Sequence, residues 1–159
     1  MKVRQSVAGI GLLASVLVGI AAHEQYRGDA YLPTPHDVPT LGFGSTAGVK
    51  MGDKTDPVRA LMRLQKEIDN VYVAGVKRCV NIPLYDYEFG AFVSLSYNIG
   101  VSNFCGSTLV KKLNAGDYPG ACAEISKWNK QKGKVLSGLT TRRAEERAIC
   151  EGKYEQGNS

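Results

Sequence analysis

The sequence predicts an α+β protein, with a small strand-containing lobe followed by a larger helical lobe and preceded by an apolar helix. Three observations predict it. Residues 6–22 carry no charged side chain. Residues 25–50 are rich in Gly, Pro, Thr and aromatic residues, with short apolar runs such as Val38 to Gly44, which is the texture of turns and short strands. From Asp56 onward, apolar residues recur at helical spacing. A hairpin lobe joined to a helical lobe leaves a natural cleft between them. The chain has 159 residues, 43% hydrophobic and 22% charged, one globular domain's worth of material. The expected division is an N-terminal segment, 1–22, and a main folded domain, 23–159.

In the segment 1–22, Lys2 and Arg4 precede the uncharged stretch, the layout of a signal sequence or a membrane anchor. The stretch of 17 residues is at the lower limit for a spanning helix, and nine of the 17 are Gly, Ala or Ser. Insertion would therefore be weakly held and reversible. Two readings stand: cleavage after Ala21, where Gly19-Ile20-Ala21 supplies small residues, or an uncleaved anchor that later leaves the bilayer. Either puts the remainder in the periplasm, since the positive end stays inside.

Further along, Asp56 is placed to cap a helix with Pro57 at its first position, and Val58, Leu61, Leu64, Ile68 and Val71 follow at helical spacing. Residues 85–97 are apolar nearly all round, which reads as a buried central helix stopping at Gly100. Short helices are expected over 107–113 and 117–127. Residues 140–150 read as a closing amphipathic helix with Arg142, Arg143, Glu145 and Glu146 on its wet side.

A net charge of +5 fits an acidic partner such as anionic lipid or cell-wall polymer. Nucleic acid is not expected, because neither a dense Lys/Arg stripe nor an aromatic RNA-binding signature is present. Cys79, Cys105, Cys122 and Cys150 match no zinc spacing, and no metal or cofactor is expected. In an exported chain they read as two disulfides with three possible connectivities; in a cytosolic one they would be free thiols.

Cleaving a glycosidic bond needs a proton donor for the leaving oxygen and a second group that acts at the sugar carbon. Glu24 lies where the apolar segment meets the strands, and a carboxyl held beside apolar walls there could act as the acid. Asp29 and Asp37 are the carboxylates of the facing stretch 29–40, and Thr40 could hold a water near the sugar.

The run Glu24-Gln25-Tyr26-Arg27, Ala30-Tyr31 and Pro39-Thr40-Leu41-Gly42-Phe43-Gly44 resembles the active-site hairpin of T4-type phage lysozymes, glycoside hydrolase family 24. The likeness continues through Ser94-Leu95-Ser96-Tyr97-Asn98-Ile99-Gly100, Ser107-Thr108-Leu109, Trp128 and Gly138-Leu139-Thr140-Thr141-Arg142-Arg143. It covers about residues 24–152 in order, and the weak apolar segment matches the signal-arrest-release endolysin subgroup. The resemblance implies a lysozyme-like fold and hydrolysis of the β-1,4 bond between N-acetylmuramic acid and N-acetylglucosamine in peptidoglycan, leading to host lysis. It implies Glu24 as general acid, Thr40 as the hydroxyl that positions water, and Asn98 as a substrate contact, unless Asn98 is a helix-end cap. It further implies the pairs Cys79–Cys150 and Cys105–Cys122, a monomer, and a protein first tethered inactive at the host inner membrane, then active in the periplasm.

The second carboxylate departs from the family pattern. Its usual spacing of Glu, eight residues, Asp, five residues, Thr lands on Pro33 counting from Glu24 and on Thr34 counting back from Thr40. Asp37, three residues before Thr40, is the preferred candidate if the loop folds over; the alternatives are Asp29 (which could face solvent or pair with Arg27) and neither. Ser45 stands where many relatives carry His. Two other functions stay open: a lytic transglycosylase on the same polymer, and a membrane-tethered, non-catalytic peptidoglycan-binding protein.

Overall fold

An apolar stretch punctuated by glycines does not form one long helix, because each glycine in a helix interior costs about 1 kcal/mol relative to alanine. In the computed structural model, which describes residues 2–153, Val7–Gly9 is a single 3-10 turn and helix α1 runs only from Ala14 to His23. The expected apolar helix over the whole segment is therefore not what forms. No helix among the described residues is long and apolar enough to cross a membrane. The chain divides into two compact units, one of residues 14–69 and one that joins residues 2–13 to 70–153.

The unit 14–69 contains α1, the antiparallel hairpin β1 (Arg27–Tyr31) and β2 (Thr40–Gly42), and helix α2 (Pro57–Glu67). Tyr31 pairs with Thr40 and Arg27 with Gly42, so β1 takes more residues than β2 over the same span and the ladder is irregular. The outer edge of β1 is covered where Ala30 N–H donates to Asp53 O at 2.9 Å and Thr55 N–H to Gly28 O at 2.8 Å. Gly42 has φ of 66°, and a Cβ there would lie 2.8 Å from that of Ala60, so only glycine lets β2 lie this close to α2. Asp56 caps α2 as expected, accepting from Arg59 N–H at 2.9 Å. The buried stripe is Ala60, Leu64 and Ile68, while Val58 and Val71 are exposed. A π-helical turn over Ile68–Val73 adds residues to the repeat, so burial resumes at Val73 and Val76.

The other unit holds α3 (Ala74–Cys79), α4 (Asp86–Ile99), α5 (Val101–Cys105), α6 (Thr108–Asn114), α7 (Tyr118–Glu124), the small hairpin β3 (Lys130–Gln131) and β4 (Lys134–Val135), and α8 (Ser137–Cys150). Helix α4 is the expected central helix, ended by Gly100 at φ 89°. Its Phe89, Phe92 and Leu95 are fully buried with Phe104, Leu109, Leu113 and Ile125. Residues 2–10 also pack on this unit. Gln5 and Leu84 exchange two backbone hydrogen bonds of 2.8 Å, and the Arg4 guanidinium pairs with the buried Glu88 carboxylate at 2.8 and 3.1 Å. Arg4 also lies over the rings of Tyr118 and Tyr85, at 3.6 and 4.4 Å from their centroids.

The disulfides correct the expected pairing. Cys79 joins Cys105, with Cα atoms 5.6 Å apart, and Cys122 joins Cys150 at 5.7 Å. Cys79 ends α3 and Cys105 ends α5, and these helices pack closely because Gly75 has no side chain to displace Val101. Cys122 lies in α7 and Cys150 ends α8, helices that also touch. Cys79–Cys150 and Cys105–Cys122 are therefore excluded.

Candidate active site

Glu24 directly follows α1, and its N–H donates to Ala21 O at 3.1 Å, so the half-buried residue continues the helix's last turn. Thr40 opens β2 with its side chain buried and its Oγ1 donating to Val38 O at 3.1 Å. Just beyond, Leu41 and Ser45 exchange backbone hydrogen bonds of 2.9 and 3.0 Å. They close a tight loop in which Gly42 and Gly44 take positive φ. Ser45, the position of the family's histidine in the resemblance, is buried, and its hydroxyl has no hydrogen-bond partner among the described residues.

The two candidate aspartates have different surroundings. Asp29 is 76% exposed and 3.4 Å from Lys54 Nζ, while Arg27 lies over the Tyr31 ring at 4.5 Å instead of pairing with it. Asp37 is exposed in the connection between β1 and β2. Its N–H donates to Thr34 O at 3.0 Å and its Oδ2 accepts from Thr34 Oγ1 at 2.8 Å. Thr40 and Asp37 thus each bond within their own stretch, to Val38 and Thr34, and not to each other.

Asn98 belongs to the other unit, on the last turn of α4, with an exposed side chain. Its Oδ1 accepts from Arg143 NH1 at 3.0 Å. Arg143 also donates to the Trp128 carbonyl at 3.4 Å and pairs with Glu146 at 2.7 Å. Glu146 further accepts from Ser94 Oγ at 2.7 Å and from Arg142 Nε at 3.4 Å. The expected wet face of α8 is corrected accordingly: Arg142, Arg143 and Glu146 are buried, and only Glu145 of the four is exposed. Burial pushes the Glu146 carboxyl above its usual range, against the pull of Arg143, Ser94 and Arg142. Burial likewise lowers Arg143, against Glu146. Sequence reasoning missed this network, although Ser94 and Asn98 lie one turn apart and Arg142 and Arg143 stand four and three residues before Glu146.

No cluster of His, Cys, Asp and Glu able to hold a metal exists among the described residues. The Phage lysozyme family profile matches residues 21–146. The endolysin of Acyrthosiphon pisum secondary endosymbiont phage 1 is 42% identical over 116 residues, 70% of this chain and 79% of that protein. The SAR-endolysin of Enterobacteria phage P21 is 33% identical over 142 residues, 87% of this chain and 86% of its own length. Among solved structures, the endolysin from Escherichia coli O157:H7 phage FAHEc1 superposes with a TM-score of 0.79 at 29% identity, covering 99% of each chain. With the hairpin preceded by Glu24, the buried Thr40 and the helical unit built on α4, these likenesses make the chain a member of the phage lysozyme family, a peptidoglycan-cleaving glycosidase of the endolysin type.

Proposed function

We propose that the chain hydrolyses the β-1,4 bond between N-acetylmuramic acid and N-acetylglucosamine, with Glu24 as general acid and Thr40 holding the attacking water. The observation that carries this reading is local: the acid candidate directly follows a helix and shortly precedes a hairpin whose second strand opens with a buried threonine. Asp37 is the second carboxylate in this reading, since Asp29 is drawn outward to Lys54. Glu24→Gln keeps the shape but cannot donate the proton, so lysis should be lost with the melting temperature unchanged. Substantial lysis by a folded Glu24→Gln protein would remove Glu24 from the mechanism. Asp37→Asn should lower the rate at least about tenfold. A smaller loss than for Asp29→Asn would transfer the role. Products with reducing ends support hydrolysis; 1,6-anhydro ends would make the enzyme a transglycosylase.

The same reading includes control by topology. Residues 1–22 first hold the protein at the inner membrane, with Lys2 and Arg4 on the cytoplasmic side, and then withdraw. Two facts support it: the apolar stretch is made largely of small residues, and Arg4 has a partner site on the folded body in Glu88, Tyr85 and Tyr118. An arm held across the bilayer cannot occupy that site, so docking favours the released form. A mature N-terminus at Ala22 or His23 would make the segment an ordinary cleaved signal and end this proposal.

A further inference from the structure

Arginine has only donors to offer, so any amide held against it must turn its oxygen inward. Arg143 is 1% exposed and is held from several sides, by Glu146, by the Trp128 carbonyl and by Asn98 Oδ1 at 3.0 Å. The Asn98 Nδ2 group is thereby turned away from Arg143, on a residue exposed at the end of α4. The helix end does not require this side chain. Gly100 N–H donates to Ser96 O at 2.8 Å, and Asn103 Nδ2 donates to the Ile99 carbonyl at 2.7 Å. A buried charged network that ends in one exposed amide, not needed as a cap, orients that amide toward something outside the chain.

We propose that Arg143 is a positioning residue that makes Asn98 an obligate hydrogen-bond donor, so that this position accepts only an acceptor oxygen of the glycan. The proposal rests on the reading of Asn98 as a substrate contact. It adds the direction of the hydrogen bond and the residue that sets it. Ser94 and Arg142 act one step further back, by fixing Glu146 and through it the Arg143 fork.

The decisive variant is Asn98→Asp in the full-length protein. Aspartate has the same shape and still pairs with Arg143, but it presents only acceptors outward. Hydrolysis of purified peptidoglycan should show KM raised about tenfold with kcat within about twofold and no loss of melting temperature. Asn98→Ala should raise KM similarly, and Ser102→Asp, which adds a charge at a nearby exposed position, should leave it unchanged. If Asn98→Ala raises KM but Asn98→Asp does not, the donor assignment is wrong while the substrate contact stands. If both leave KM unchanged, the reading of Asn98 as a contact fails. If Ser102→Asp matches Asn98→Asp, the effect is one of charge and the proposal falls. Arg143→Lys should raise KM in the parent and add nothing in the Asn98→Ala background; a further rise there would show that Arg143 does not act through Asn98. The Asn98 variants decide the donor question even if Arg143→Lys does not fold.

Discussion

Helices α1 and α4 are both apolar in sequence, yet α4 buries eight of its 14 residues and α1 buries three of its ten. The difference is bulk. Helix α4 brings Phe89, Phe92 and Leu95, which fill an interior, whereas α1 is built of Ala, Val, Gly and few larger residues and leaves Val18 58% exposed. Apolarity alone does not make a core helix; side chains large enough to be enclosed do. A helix of small residues leaves apolar surface uncovered in water and holds only weakly in lipid. A segment that alternated between the two settings, as proposed above for residues 1–22, would need that composition.

The largest test of this contrast is in α4. Phe92→Ala should cost about 3–5 kcal/mol, read as a large fall in the thermal midpoint by circular dichroism, because a fully enclosed ring leaves a cavity. A cost below about 1 kcal/mol would break the comparison. Both disulfides lie in the unit that contains α4, and closing loops with separations of 26 and 28 residues contributes about 3–4 kcal/mol each in the chain-entropy model. Replacing Cys79 and Cys105 together by Ser should lower stability by up to that amount, and a negligible change in chemical denaturation would show that this bond is not holding the helical unit.

The counterpart for the N-terminal segment predicts little change in stability and a large change in timing. A Cβ at Gly9, Gly11 or Gly19 would meet nothing within 4 Å, so leucine at all three should shift folded-state stability by less than about 1 kcal/mol. If the proposed tether exists, the added apolar surface should strengthen insertion and delay lysis; lysis on the parental schedule would refute that proposal. The smallest effect concerns acid. Hydrogen bonds from Lys112, then Lys127, hold the Glu124 carboxyl below its usual range. Its folded-state pKa is depressed, so its contribution is present above the unfolded value near pH 4 and is lost as pH falls through the folded value. Glu124→Gln should therefore lower the melting temperature slightly at neutral pH and flatten the acid side of the melting profile, with the two proteins converging at low pH. Parallel profiles would assign the effect to packing instead of charge.

Features that depend on neighbours along the chain are legible in the sequence. The cap at Asp56, the stop at Gly100, helices starting near Ser107 and Asp117, and the order of hairpin and helices all follow from residues within a turn or two of one another. Placing Glu24 ahead of a hairpin and Thr40 at the start of its second strand is equally a local inference. The N-terminal segment is the exception: the sequence predicts one apolar helix, whereas only a 3-10 turn forms at Val7–Gly9 and α1 starts at Ala14.

Long-range partnership is not legible there. Arg142, Arg143 and Glu146 have the spacing of a solvated ion-pair face, and nothing in that spacing distinguishes it from a buried network. Their burial is decided by α8 packing against α4, where Ser94 and Asn98 supply the remaining hydrogen bonds. The cysteines present the same case: their number implies two bonds, but the partners are set by which helices approach within about 6 Å, at α3 with α5 and α7 with α8. The sequence by itself determined the first hairpin, the main helices from α2 onward and their order, because those depend on backbone geometry over a few residues; it did not foresee the broken N-terminal helix, the π-helical turn or the β3–β4 hairpin. Tertiary structure alone decided which charges are enclosed and which sulfurs meet, because burial and pairing depend on surfaces brought together from distant parts of the chain.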